Sequence, residues 1–250
     1  MAAGGARPQA RLLGERDGLV FVDKPIGVPT EPDAQHDDSV LAQAATLLGL
    51  RLDRLHAHSR LDVGVSGVVT LSVTTDARRR VARLREQGLW RRRYVALASG
   101  QTSEQAGCWT ESIGRARGPR RSIRGARPES AETRFAVIAR ATFPGENWPV
   151  VLLALEPQTG RTHQLRVHAA AHGLPLLGDR TYGGPTRFPR PSGAVSSIER
   201  IALHSAWVEL GEGTSALRVA APLPRELDEL WQAMNGDAAA WQLAIASDLG

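Results

Sequence analysis

A mixed α+β fold, with a largely antiparallel sheet flanked by helices and loops, is what this chain of 250 residues predicts. Strand-like runs come in bunches instead of alternating one for one with helices, which argues against a doubly wound parallel sheet. Two late runs, His204 to Leu210 and Ala216 to Ala220, are joined across Gly211-Glu212-Gly213 in the manner of a hairpin. With 42% hydrophobic and 23% charged residues, the chain can bury a sizeable core.

Residues 1–14 are small, polar and Arg-bearing, without an apolar period, and read as a flexible tail. Gly18 to Asp23 is a continuous apolar run closed by Lys24-Pro25-Ile26-Gly27, a buried strand ending in a Pro/Gly turn. Ser39 to Leu48 carries Val40, Leu41, Ala44, Leu47 and Leu48 at helical spacing, with Asp38 or Ser39 as cap and Gly49 as stop. Gly67 to Val73 is a strand, and Thr74-Thr75-Asp76 caps an Arg-laden helix to Gln87 with Val81 and Leu84 inward. Strands follow at Arg92 to Ala98, Glu132 to Ala139 and Val150 to Leu155, and Thr162 opens a helix that Gly173 closes. A last amphipathic helix, from Pro224 to Met234, turns Leu227, Leu230 and Trp231 to the core. Two long loops remain, Gly114 to Arg127 and Gly183 to Ser197.

The longest apolar run, Val150 to Leu155, is far short of the roughly 20 residues that span a bilayer, and no membrane partner is expected. Without a recognisable secretory leader, the expected location is the cytoplasm. Cys108 is the only cysteine, which excludes an internal disulfide and thiolate-rich metal sites. The net charge of +5 permits a polyanionic partner without demanding one. Lys24 is the only lysine; all other basic side chains are arginine. Six of these, with no acid among them, fall in Gly114 to Arg127, which is either a solvated loop or a finger that closes on a polyanion.

Two segments concentrate chemistry. In Ser59-Arg60-Leu61-Asp62-Val63-Gly64-Val65-Ser66-Gly67, one aspartate sits in a Gly-containing loop before a buried strand, as a structural cap or as a catalytic group. In Thr159 to His168, a Thr-Gly turn and a helix start deliver Arg161, His163, Gln164 and Arg166 to one place where polar groups can meet an anion. His163, His168 and His172 also permit a metal-dependent hydrolase, although no glutamate lies between His168 and His172.

These pieces resemble the RluA-type family of RNA pseudouridine synthases. The family's HRLDxxTSG loop stands here as SRLDVGVSG (59–67), its KxY strand as RRY (92–94), its TGRTHQLRVH helix start unchanged at 159–168, and its GDxxYG turn as GDRTYG (178–183). Lys24-Pro25-Ile26-Gly27 matches its early KPxG turn, and the likeness covers about residues 18 to 224 in the family's order. Ser59 replaces the family's histidine and Val65 its threonine, which leaves every reacting group present.

The resemblance implies the pseudouridine synthase fold, with residues 15–235 as catalytic domain and 236–250 as a C-terminal tail. It implies isomerisation of uridines in rRNA or tRNA, without cofactor or metal, since the reaction has no net redox change or hydrolysis. Asp62 is then the catalytic carboxylate, attacking C1′ or removing a C2′ proton. Arg166 pairs with it and keeps it ionised. Tyr94 lies against the flipped base and helps with the C5 proton, and Leu165 gives an apolar wall. Backbone contacts are expected from Lys24, Arg60, Arg161, the Arg91-Arg92-Arg93 run and the arginine loop, with a salt bridge supporting the Thr159 turn as the other reading of Arg161. A monomer is the default. The alternative function is a weakly active or inactive RNA-binding protein of the same fold.

Overall fold

The computed structural model describes residues 8–32, 37–118, 120–143, 148–189 and 194–249. The chain divides into two compact units, residues 1–90 with 208–221, and residues 91–207 with 222–250.

The first unit opens with β1 (Arg11–Arg16) and β2 (Leu19–Lys24), joined by Asp17-Gly18, both with positive φ, so that the chain reverses within two residues. The expected N-terminal tail is therefore too long: residues 11–14 belong to a paired edge strand, while residues 1–7 lie outside the described part. Helix α1 (Val40–Leu48) is capped by the Ser39 hydroxyl, which accepts from the Ala42 amide, and ends at Gly49 in the left-handed region. Val40, Leu41 and Ala44 are buried as the spacing requires, whereas Leu47 stands exposed. After β3 (His56–Ala57) comes β4 (Ser66–Ser72), buried along its whole length and antiparallel to β2. Helix α2 (Thr75–Glu86), capped by Thr74, lays Ala77 and Val81 on a core of Leu19, Phe21, Val68 and Val208.

The second unit is built on four antiparallel strands. These are β5 (Trp90–Ser99), β6 (Ala106–Trp109), β10 (Thr133–Thr142) and β11 (Pro149–Pro157), in the order β5-β11-β10-β6. Between β6 and β10, the arginine-rich segment forms its own small antiparallel sheet of β7 (Ile113–Arg115), β8 (Arg121–Ser122) and β9 (Ala126–Glu129), with β7 central. Here the loop expectation is corrected: Gly114 and Gly125 let the short strands approach, since a Cβ on either would strike the opposite backbone at about 2.5 Å. Helix α3 (Gln164–Ala171) follows β11. It starts two residues later than expected, with His163 at φ +58 in the capping position and no side chain closing it.

In the second long loop, β12 (Arg187–Pro189) pairs with β13 (Val195–Ser197), while residues 190–193 lie outside the described part. The hairpin appears as β14 (Leu203–Leu210) paired with β15 (Leu217–Ala220). Helices α4 (Arg225–Gln232) and α5 (Ala239–Ala246) complete the chain. The expectation of a C-terminal tail from 236 is corrected by α5, whose Ala240, Trp241 and Ala244 are buried against Val95, Leu152 and Trp231. Trp241 and the two alanines are spaced for one helical face, enough apolar area to hold a two-turn helix on a sheet.

Candidate active site

Asp62 is half-buried in the turn that leads into β4. The loop around it alternates: Leu61 and Val65 point inward, 6% and 2% exposed, while Arg60 and Val63 face out. Backbone bonds hold it from two sides. Thr30 clasps Leu61 through both its amide and its carbonyl, each at 3.0 Å, and the Gly27 amide donates to the Val63 carbonyl at 2.8 Å. Lys24 completes the brace. Its side chain is fully buried, and its ammonium donates to the carbonyls of Val65 (2.7 Å), Pro25 (2.9 Å) and Val63 (3.4 Å). A buried ammonium needs such acceptors to offset its lost hydration. The expected phosphate contact from Lys24 is therefore corrected: the lone lysine positions the aspartate loop and has no access to solvent. Arg60, by contrast, is exposed, 3.7 Å from Glu31.

His58, just upstream, has its pKa lowered from 6.5 to about 4 by burial, by His56, and by Arg85 and Arg78. The unfolded chain thus takes up this proton at a higher pH than the folded one. Stability is full above about pH 6.5 and is lost as pH falls toward 4. Melting temperature should decline less steeply over that window in His58→Gln than in wild type, and an identical decline removes His58 as the sensor.

In the second unit, Tyr94 is 6% exposed on β5, opposite Leu155 of β11. Arg92 lies two residues earlier, on the same face, and donates to the carbonyls of Pro157 and Thr159, both at 2.9 Å. Burial lowers its pKa, opposed by the nearby Tyr94. Arg93 is fully buried on the other face, bound to Glu156 at 2.6 Å and to the Ala244 carbonyl at 2.7 Å. Of the three-arginine run expected on RNA, these two spend terminal guanidinium nitrogens on protein carbonyls and, for Arg93, on Glu156. Arg91 is partly exposed, beside Glu156 and Asp248.

The turn held by Arg92 leads into the helix start. Gln164 uses its whole amide there: its oxygen accepts from the Thr159 hydroxyl (2.7 Å) and the Arg161 amide (3.0 Å), and its nitrogen donates to the Glu132 carbonyl and Thr133 hydroxyl. Thr133 in turn donates to Nδ1 of His168, whose Nε2 donates to the Glu111 carbonyl at 2.9 Å. Burial lowers the His168 pKa, in keeping with this neutral form. With both ring nitrogens engaged by protein, His168 acts as a packing residue; His172 stacks on Trp109 and meets Glu111. Among the described residues, no group of three or more His, Cys, Asp or Glu side chains is arranged to hold a metal.

Arg166 lies in the first turn of α3, 5% exposed, with Leu165 beside it at 6%. Its Nε and Nη2 reach the two oxygens of Asp179 at 2.7 and 2.8 Å, a fork-to-fork pair that fixes the guanidinium plane. Tyr182 lies under that guanidinium, 5.0 Å from its ring centre. Asp179 and Tyr182 are the partners that inspection of single residues missed, although both stand in the GDRTYG turn. Of its two expected readings, Arg161 shows the salt bridge: it bonds Glu129 at 2.6 Å and the Ser130 carbonyl at 2.8 Å, and its side chain is 38% exposed. With Arg115, Arg121 and Arg127 it lines a cleft of about 330 Å³ between the arginine sheet and the Gly160 turn, and Glu129 is the only carboxylate in that lining among the described residues. Asp62 and Arg60 thus belong to the first unit, and Tyr94, Arg161, Leu165 and Arg166 to the second.

Residues 18–171, more than half the chain and including Asp62, Tyr94 and Arg166, match the RNA pseudouridylate synthase family. The chain belongs to that family. The ribosomal large subunit pseudouridine synthase D of Nitrosomonas europaea is 31% identical to this synthase-family chain, over 90% of it and 65% of the relative's own length. The dual-specificity RNA pseudouridine synthase RluA of Escherichia coli strain K12 is 32% identical, over 81% of this chain and 87% of that one. The human RNA pseudouridylate synthase domain containing 1 protein shares the fold, with a TM-score of 0.67 at 24% identity over 95% of this chain and 98% of that one. The α+β pseudouridine synthase fold expected from the motifs is thereby met. No helix of the described residues is long and apolar enough to cross a membrane.

Proposed function

We propose that this protein converts uridine to pseudouridine in structured RNA, acting as a monomer in the cytoplasm, with Asp62 as the catalytic carboxylate. The observation that carries this reading is the family match over residues 18–171, in which the motif aspartate, tyrosine and arginine all stand. In the reaction the N1–C1′ bond breaks, the base turns, C5 bonds to C1′, C5 loses its proton and N1 gains one. Atoms and electrons balance without any added group. Asp62 either attacks C1′ or removes a C2′ proton; a loop held by Thr30 and Lys24 suits both, because each needs a carboxylate fixed against one sugar. Arg166 keeps a positive charge near the developing negative charge, its plane set by Asp179. Tyr94 lies along the flipped base and assists the C5 proton, and Leu165 walls the pocket. Arg60, Arg161 and the arginine cleft hold phosphates. The relative named for the large ribosomal subunit supports rRNA, and tRNA stays a second target on the motif resemblance.

Tritium release from RNA carrying 5-tritiated uridine tests the reaction, because only bonding at C5 frees that label. Release that persists with chelator is expected; no release with chelator-sensitive breakdown of the RNA favours the metal hydrolase, and RNA binding with neither release nor breakdown favours a binding module. Replacing Arg115, Arg121 and Arg127 together with alanine should weaken RNA binding by at least tenfold at low salt and flatten its salt dependence, because fewer counterions are released. Melting should barely move, since these side chains face solvent. Titration at two salt concentrations checks this, and unchanged affinity and slope would leave the cleft merely solvated.

A further inference from the structure

One residue touches both the arginine sheet and the Arg166–Asp179 pair. The Tyr182 hydroxyl accepts the amide hydrogen of Arg121 at 3.0 Å and lies 2.8 Å from Nδ1 of His163. Its ring lies beneath the Arg166 guanidinium. Its own amide is 3.3 Å from Oδ1 of Asp179, the oxygen that also takes Nη2 of Arg166. The same ring packs on the small apolar cluster of Ile113, Ala131 and Val167, together with Ile123.

The two ends of this connection differ in rigidity. The turn that carries Tyr182 is clamped: a Cβ on Gly178 would fall 1.8 Å from the Arg200 carbonyl, and one on Gly184 1.8 Å from that of Leu176. The turn can neither slide nor accept a larger residue at these points. Strand β8, at the other end, has two residues and pairs only through Gly114↔Ser122 and Arg115↔Arg121 among the described residues. So short a strand takes its place from what else holds it, and the Tyr182 hydroxyl is fixed to its first residue. Arg121 also sends its side chain into the cleft.

We propose that Tyr182 is a positioning residue that links strand binding to catalysis: an RNA phosphate seated on Arg121 draws β8 against the Tyr182 hydroxyl, and the ring then fixes Arg166 in its working orientation. The link rests on the proposed role of Arg166 and on phosphate binding in the cleft. Its signature is in the rate at saturating RNA, because a contact that only raised affinity would be hidden there. A ring that only filled space would keep its packing as phenylalanine.

The test is single-turnover pseudouridine formation at saturating RNA by wild type, Tyr182→Phe, Arg121→Ala and the double variant, with dissociation constants measured in parallel. Tyr182→Phe keeps the ring and removes the hydroxyl. It should lower the saturated rate constant at least tenfold while RNA affinity changes by less than about threefold. Arg121→Ala should lower both affinity and rate constant, and in the Tyr182→Phe background it should lower affinity without further loss of rate. A Tyr182→Phe rate constant within twofold of wild type, or effects of the two substitutions that simply multiply, overturns the link. If Tyr182→Phe melts markedly lower than wild type, Arg121→Ala alone decides, and a wild-type rate at saturating RNA overturns the proposal. A wild type that forms no pseudouridine overturns the functional reading instead, so the two failures are distinguishable.

Discussion

Asp62→Asn should abolish pseudouridine formation while RNA affinity stays within a few-fold of wild type. The substitution keeps the shape of a side chain in a loop whose geometry is set by backbone bonds from Thr30, Gly27 and Lys24, none of which uses the carboxylate. What it removes is the charge that, in the proposed reaction, attacks C1′ or takes a proton from C2′. Affinity comes chiefly from phosphate contacts, and those remain. Tritium release and filter binding on one RNA measure the two quantities together. Turnover by the variant above the level of wild-type carry-over removes Asp62 from its role, whichever of the two routes the reaction takes.

Arg166→Ala should be both inactive and markedly less stable. The structure names the cause as Asp179, 1% exposed in its side chain, which would keep a buried charge after losing a two-bond partner. Unpairing such a charge costs about 3–5 kcal/mol, and at roughly 2–4 °C per kcal/mol for a chain of this size the melting temperature should fall by about 6–20 °C. Asp179→Asn with Arg166→Ala removes the stranded charge and should recover part of that loss without restoring activity. Calorimetry and tritium release on the single and double variants separate stability from catalysis. An active Arg166→Ala chain with unchanged melting shows that the pair neither braces the helix start nor serves the reaction.

The elements that were legible in the sequence are those whose cause is local. The Ser39 cap, the Gly49 stop and the 3.6-residue period of α1 lie within ten residues of one another. The apolar runs of β2 and β11 marked them as strands. The misjudged ends were the ones where composition and packing disagree. Residues 11–14 look like tail yet pair with β2, and α5 looks like tail yet carries Trp241 into the core. The arginine segment reads as a loop because charge hides its period, and its glycines, which allow three short strands to approach, show their purpose only beside one another.

Of the candidate site, the proposed reacting groups were legible in the sequence alone: Asp62 before a buried strand, Tyr94 on a strand, and Arg166 at a helix start, each in a motif a few residues long. Their order in the chain and the chemistry they imply require no coordinates. Partner choice was decided only by tertiary structure. Lys24 turned from an expected phosphate ligand into the brace of the Asp62 loop, 41 residues away, and Arg93 became the anchor of a helix whose Ala244 carbonyl lies 151 residues on. The physical reason is desolvation. A charged side chain must satisfy its donors with whatever acceptors the fold brings to it, and those acceptors are mostly backbone carbonyls, which every residue carries and no motif can mark.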